Sequence, residues 1–269
     1  METLQTITAH KIKEVQEKKS FYPIKLLEQS IYFKSPCVSL KKYLLRDDLA
    51  GIIAEFKRKS PSKGFINKYV DVEKTTIGYM QAGASALSVL TDATFFGGKN
   101  EDLTTARKFN FCPILRKDFI VDEYQIVEAK SIGADAILLI AAVLEKDQIN
   151  KFCKTAFNLG MEVLLEIHDE KELEKINAEI QIIGINNRNL KTMEISLQNS
   201  FDLINKLPVE TVKISESGIS NVQQIIQLKE AGFRGFLMGE FFMKNSRPEE
   251  MCMKFIKEIK VFQNKIVAV

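Results

Sequence analysis

Short polar runs interrupt an otherwise apolar pattern after residue 50: Glu55-Phe56-Lys57-Arg58-Lys59-Ser60, Arg116-Lys117-Asp118-Phe119, Glu166 within Leu164-Leu165-Glu166-Ile167, Asn186-Asn187-Arg188-Asn189, Glu216-Ser217-Gly218 and Gly239-Glu240. Amines and carboxylates dominate them. His10 and His168 are the only histidines, so acid–base work near neutral pH would fall to Lys and Glu. Glu55 and Lys57 share one face of an extended segment, with Phe56 and Arg58 on the other. Turned into an enclosed site, that face sets an acid beside an amine; turned outward, Lys57-Arg58-Lys59 is a solvated basic turn. Glu166 lies between apolar neighbours, where a carboxylate needs a partner or a function. Lys117 reads either as a proton donor or as a rim lysine in an ion pair. Phe96 reads as pocket or core, and His168 as a supporting or surface residue.

Ser217-Gly218 and Gly239-Glu240 suit an anion, because glycine lets backbone approach closely and a helix N-terminus offers free N–H groups. A Glu240 side chain turned inward would oppose that anion. Contributing only its N–H, it leaves its carboxylate to solvent.

Composition narrows the partners. A formal charge of +3 spread over 269 residues suits an anionic small molecule and is too small to argue for nucleic acid. The four cysteines, Cys37, Cys112, Cys153 and Cys252, are scattered without C-x-x-C spacing, and no His or carboxylate cluster joins them at metal-ligand spacing. No metal site is expected. Met1 to Ser20 is rich in Lys and Glu and lacks the apolar core of a signal peptide. No run approaches the ~18 apolar residues of a membrane span. A cytoplasmic protein, monomeric or weakly self-associating, is expected.

The elements that must position the polar runs follow a rhythm. Apolar stretches at Gly51–Phe56, Ala86–Leu90, Pro113–Leu115, Ala136–Ile140, Glu162–Ile167, Ile182–Ile185, Val212–Ile214 and Gly235–Met238 are mostly continuous, as in parallel strands buried on both faces. Segments between them carry helical spacing, as in Asp122–Ala129, with Ser220 a candidate N-cap for another helix. Ala82-Gly83-Ala84, Ile132-Gly133-Ala134 and Ala231-Gly232-Phe233 each place glycine at a helix stop before a strand. Eight such units in series imply an α/β fold, a closed (β/α)8 TIM barrel of one domain over 1–269. An open dinucleotide-binding sheet would bring a G-x-G-x-x-G loop, which is absent. Residues 1–45 stand outside the rhythm. Ile7 to Gln16 can form an amphipathic helix broken at Phe21-Tyr22-Pro23, giving an N-terminal helical extension packed on the barrel. The polar runs then sit where barrel active sites lie, at the C-terminal strand ends.

Ile53-Ala54-Glu55-Phe56-Lys57-Arg58-Lys59-Ser60-Pro61-Ser62-Lys63-Gly64 resembles the first-strand motif of indole-3-glycerol phosphate synthases. Leu115-Arg116-Lys117-Asp118-Phe119-Ile120 is similar to their third strand end and Leu165-Glu166-Ile167-His168 to their fifth. Gly184-Ile185-Asn186-Asn187-Arg188-Asn189-Leu190 is similar to the sixth, and Ser215-Glu216-Ser217-Gly218-Ile219 to the seventh. The resemblance implies a lyase that ring-closes, decarboxylates and dehydrates 1-(2-carboxyphenylamino)-1-deoxyribulose 5-phosphate. It implies Lys117 as general acid toward the ketone oxygen, with Glu55, Lys57, Glu166, Asn186 and Ser217 in the catalytic set. Ser60, Phe96, Phe119, Leu138, Arg188, Glu216 and Leu237 would line the substrate, with Ser217 also on that wall. Gly218, Gly239 and the Glu240 amide would hold the phosphate. Arg116 departs from the family by standing where an apolar residue is common, and Glu240 by standing where Ser is common.

A cleft lysine beside other cations is expected to have a lowered pKa, which favours proton donation. No redox step or activated group is involved, so no cofactor is expected. A Schiff-base aldolase with Lys117 as nucleophile and a non-catalytic phosphate-binding barrel are the rival readings.

Overall fold

The computed structural model describes residues 4–189 and 192–267; Leu190, which ends the sixth-strand motif, lies outside the described residues. Eight parallel strands close on themselves: β1 (Ile52–Phe56), β2 (Ala86–Leu90), β3 (Ile114–Lys117), β4 (Ala136–Ile140), β5 (Glu162–Ile167), β6 (Ile182–Asn186), β7 (Val212–Glu216) and β8 (Gly235–Met238). Each expected apolar run is one of these strands. Three extend further than expected, so that Arg116, Lys117, Asn186, Ser215 and Glu216 are strand residues rather than loop residues. Polar side chains hid these ends from a hydrophobicity reading. The barrel register accommodates them by pairing Leu90 with Lys117 and Asn186 with Glu216.

Alternation along each strand divides the core in two. Ile53, Ala86, Leu115, Leu138, Leu164, Ile182, Ile214 and Leu237 fill the barrel interior, as the layered side chains of such barrels do. Ala54, Phe56, Leu87, Val89, Leu139, Leu165 and Ile183 face out and pack under the helices. Arg116 takes one outward position and is fully buried. Its guanidinium meets Glu128 at 2.6 Å and Asp118 at 3.1 Å, and donates to the Gln125 carbonyl at 2.8 Å. These partners explain how an arginine stands where apolar packing would serve.

Among the described residues three helices precede the barrel: α1 (Leu4–Phe21), α2 (Ile24–Leu27) and α3 (Leu40–Leu44). The chain breaks between α1 and α2 at extended Pro23, as expected. Around the barrel run α4 (Val72–Gln81), α5 (Asn100–Phe109), α6 (Glu123–Ser131), α7 (Lys146–Asn158), α8 (Gln198–Leu203), α9 (Val222–Glu230), α10 (Glu240–Met243) and α11 (Pro248–Val267). Between β5 and β6 the connection contracts to a 3-10 turn, Glu170–Lys175. Gly83, Gly133 and Gly232 adopt φ of 91°, 96° and 109° at helix stops, as anticipated. The N-cap of α9 is Asn221, not Ser220. Asn221 Oδ1 accepts from the Gln224 N–H at 3.0 Å, while Ser220 donates to the Gln224 side chain.

The extension touches both ends of the barrel. At the N-terminal end Leu40 and Leu44 of α3 join the interior cluster with Ala136, Ile182 and Val212, residues at strand starts. Ser39 and the Lys41 amide clamp Glu162 at 2.5 and 2.9 Å. The opposite mouth is reached by α1.

Candidate active site

A cavity of about 320 Å³ opens at the C-terminal strand ends, within the usual range for small-molecule sites. Every site residue singled out from the sequence lines it: Glu55, Lys57, Lys117, Glu166, Asn186 and Ser217; Ser60, Phe96, Phe119, Leu138, Arg188, Glu216 and Leu237; and Gly218, Gly239 and Glu240. They come from segments as far apart as β1 and β8 because strand ends in a closed barrel share one rim.

Lys117 lies at the centre. Its Nζ donates to Glu166 Oε2 at 2.9 Å and to Glu216 Oε2 at 2.7 Å. Glu166 Oε1 also accepts from Asn186 Nδ2 at 3.2 Å, and Asn186 Oδ1 accepts the Arg188 amide at 2.9 Å. Across the same site Lys57 Nζ donates to Glu55 Oε1 at 2.6 Å. The Glu55–Lys57 face therefore points inward. Arg58, on the other face, pairs with Asp102 and lies over the Phe56 ring. Outside the cavity, half-buried His168 bonds through Nδ1 with the Asn186 carbonyl at 3.0 Å.

The electrostatics overturn one expectation. Burial works against the Lys117 charge, but Glu166, Glu216 and Glu55 outweigh it and hold the amine above its ordinary range. The sequence argument assumed neighbouring cations, whereas folding brings carboxylates. Burial likewise opposes ionisation of Glu166, yet the Lys117 ammonium pulls its carboxyl down. Glu216 goes the other way. Burial lifts it to about 7, reinforced by the nearby Glu166 charge and opposed by Lys117.

Two buried polar atoms of the cavity, Ser60 Oγ and Glu216 Oε1, have no hydrogen-bond partner in the protein. Glu216 Oε1 sits so close over Gly184 that a Cβ there would meet it at 2.1 Å. Gly184→Ala is expected to push the carboxylate away from Lys117. A displacement of this size lowers kcat by up to ~10²-fold, while overpacking costs about 1–3 kcal/mol. If Gly184 acts through Glu216, the Gly184→Ala/Glu216→Gln double variant will lose no more kcat than Glu216→Gln alone; additive losses would refute it.

One wall is apolar. The Phe96 and Phe119 rings lie 6.0 Å apart at 38°, with Leu138 and Leu237 on the same cavity. Leu4 and Ile7 of α1 and Met193 and Ile195 of the β6–α8 loop also line it and were not anticipated. The sequence placed Ile7 at the start of an amphipathic helix packed on the barrel, without assigning any of its side chains to the site. Opposite, Ser217 and Gly218 take left-handed φ of 69° and 82°, a conformation that is strained for serine. Gly239 has a different reason to be glycine than the one expected. A Cβ there would lie 2.5 Å from Glu55 Oε1, so it makes room for the acid rather than for an anion alone. The Glu240 carboxylate is partly exposed at the mouth, 2.5 Å from the exposed Lys63 and 3.7 Å from Arg188. Although partial burial opposes ionisation, Lys63 lowers its pKa.

Among the described residues no group of three or more His, Cys, Asp or Glu could hold a metal ion. No described helix is long and apolar enough to cross a membrane.

A model of the indole-3-glycerol phosphate synthase family matches residues 4–256. The chain belongs to this family. An indole-3-glycerol phosphate synthase of Bacteroides thetaiotaomicron is 49% identical over 256 residues, covering 95% of this chain and 98% of its own. One from Caldanaerobacter subterraneus is 39% identical, covering 96% and 98%. The fold is also that of a tryptophan synthase alpha-subunit from Pyrococcus furiosus, with TM-score 0.58 and 15% identity over 79% of this chain and 98% of that one. The synthase family match thus spans all of α1 and the barrel, and ends within α11.

Proposed function

We propose that this chain, as one barrel domain with residues 1–45 as its extension, converts 1-(2-carboxyphenylamino)-1-deoxyribulose 5-phosphate to indole-3-glycerol phosphate with release of CO2 and water. It acts as a carboxy-lyase of tryptophan biosynthesis in the cytoplasm. The observation that carries the mechanism is the Lys117 ammonium held between two buried carboxylates beside the Lys57–Glu55 pair. The ring carbon bearing the carboxylate attacks the ketone carbon, and Lys117 delivers its proton to the oxygen that becomes the hydroxyl. An amine held protonated suits this task, because the developing alkoxide is a stronger base than the carboxylates it displaces. The bond to the carboxylate then breaks and its electron pair restores the aromatic ring. In the last step Lys57 protonates the departing hydroxyl and Glu55 takes a proton from the adjacent methylene. Asn186 steadies Glu166, and Ser217 and Ser60 offer hydroxyls to the substrate.

Phe96, Phe119, Leu138 and Leu237 cover the ring. Gly218, Gly239 and the Glu240 amide receive the phosphate, with Arg188 nearby. Substrate entry exchanges part of the Glu240 contact at the mouth for the incoming anion. A Schiff base would require a neutral amine, and the carboxylates around Lys117 oppose one.

Purified protein given this substrate is expected to develop indole fluorescence with stoichiometric CO2. Substrate loss without indole, or borohydride trapping of an adduct at Lys117, would sink the assignment. A pH profile tests the Lys117 surroundings. As pH falls through about 7, Glu216 takes up a proton and one of the two charges orienting Lys117 is neutralised. kcat/KM, which reports the free enzyme, should therefore decline on the acid side with an apparent midpoint near that value. Glu216→Gln should be slower at all pH and lack this inflection; an unchanged inflection would assign it elsewhere.

A further inference from the structure

Lys11 of α1 carries a charge yet is only 1% exposed. Its Nζ lies 2.8 Å from Asp92 Oδ2, 3.1 Å from Asp118 Oδ1 and 2.9 Å from Glu14 Oε2. Asp92 and Asp118 sit just past the ends of β2 and β3, the latter next to Lys117. Each carboxylate also holds backbone. Asp92 Oδ1 accepts the Phe95 and Phe96 amides at 2.7 and 3.1 Å, and Asp118 Oδ1 accepts the Phe119 amide at 2.8 Å. Phe96 and Phe119 form the paired aromatic wall of the cavity.

We propose that Lys11 is a positioning residue for the substrate's aromatic ring, tying together the two carboxylates that fix Phe96 and Phe119. The proposal rests on the ring-binding reading of that wall given above. Leu4, Ile7 and Lys11 fall at i, i+3 and i+7, on one face of the helix, and the first two line the cavity themselves. Lys11 is thus the polar end of a stripe that borders the substrate. Anchoring a surface helix does not need a desolvated cation, which is costly unless fully compensated. Asp118 already has Arg116 at 3.1 Å and Thr91 at 2.6 Å on its other oxygen. The carboxyl of Asp118 is opposed by burial but drawn down to about 2 by Lys11 and Arg116, so it remains an anion throughout the working range. A second tie points the same way: His10 Nε2 bonds Thr94 Oγ1 at 3.0 Å and its ring meets Phe95 edge-on at 5.3 Å.

Two probes separate the ends of the cavity: N-(2-carboxyphenyl)glycine for the ring and inorganic phosphate for the anion. Lys11→Met should raise the inhibition constant of the first, and KM, by about tenfold or more, as small displacements at a site do. Its inhibition constant for phosphate should stay within about twofold, and Lys11→Arg should recover part of the ring affinity. Parallel changes in both constants, or no change in either, would overturn the proposal whatever happens to Tm. Should Lys11→Met not fold, Asp92→Asn keeps an acceptor for the Phe96 amide, removes the charge that Lys11 meets, and should give the same split. Phe96→Ala and Phe119→Ala distinguish the underlying reading. If they leave N-(2-carboxyphenyl)glycine unaffected, the ring site itself is misplaced. If they weaken it and Lys11→Met does not, only the role of Lys11 falls.

Discussion

Lys117→Ala should lower kcat by ~10²–10⁴, the loss typical of removing a positioned general acid, while the barrel stays folded. The loss should appear in a single-turnover measurement, because it belongs to ring closure rather than to product release. Lys117→Arg should be nearly as slow. It keeps a cation between Glu166 and Glu216, but guanidinium does not give up its proton in this range. The fold tolerates Lys117→Ala because Glu216 already ionises with difficulty and can neutralise itself by taking a proton. A Tm drop of a few degrees is expected. A single-turnover rate near that of the unaltered protein would remove Lys117 from the chemistry.

Arg116, one residue earlier, should behave in the opposite way. Arg116→Met removes the cation that meets Glu128 and Asp118 in the layer between β3 and α6. Breaking a buried pair from one side costs about 3–5 kcal/mol. At ~2–4 °C per kcal/mol for a chain near this size, Tm should fall by about 6–20 °C. Below the transition kcat should change far less than in Lys117→Ala, because Arg116 points away from the cavity. A melt displaced by less than about 3 °C would mean that the two acids find other partners. The contrast between neighbours is a strong test of strand alternation, since one residue step exchanges the inside of the barrel for the outside.

Much of this arrangement was legible in the linear chain. Strands buried on both faces read as continuous apolar runs, and the spacing of Glu55 and Lys57 put them on one face. What could not be read was what meets what. Lys117 lies 49 residues from Glu166 and 99 from Glu216, so the sign of its pKa shift was hidden until closure of the barrel brought the carboxylates in. The same limit applies to Lys11, which reads as an ordinary charge on an amphipathic helix, and to Glu240, whose partner Lys63 is 177 residues away. Strand ends at Lys117, Asn186 and Glu216 were clipped because polarity imitates a loop wherever a polar cavity is built on a sheet. The contracted helix at Glu170–Lys175 gave no local cue either.

The seating of α3 in the floor of the barrel imposes an order on biosynthesis. Ser39 caps against Glu162, which follows it by 123 residues. At roughly 5–20 residues per second, Leu40 and Leu44 wait on the order of ten seconds before β5 exists to receive them. The extension is translated early and can lock late, after the strands it plugs have begun to curl. Until then its apolar face is available to chaperones or to neighbouring nascent chains, so aggregation during synthesis should be most sensitive to substitutions at Leu40 and Leu44.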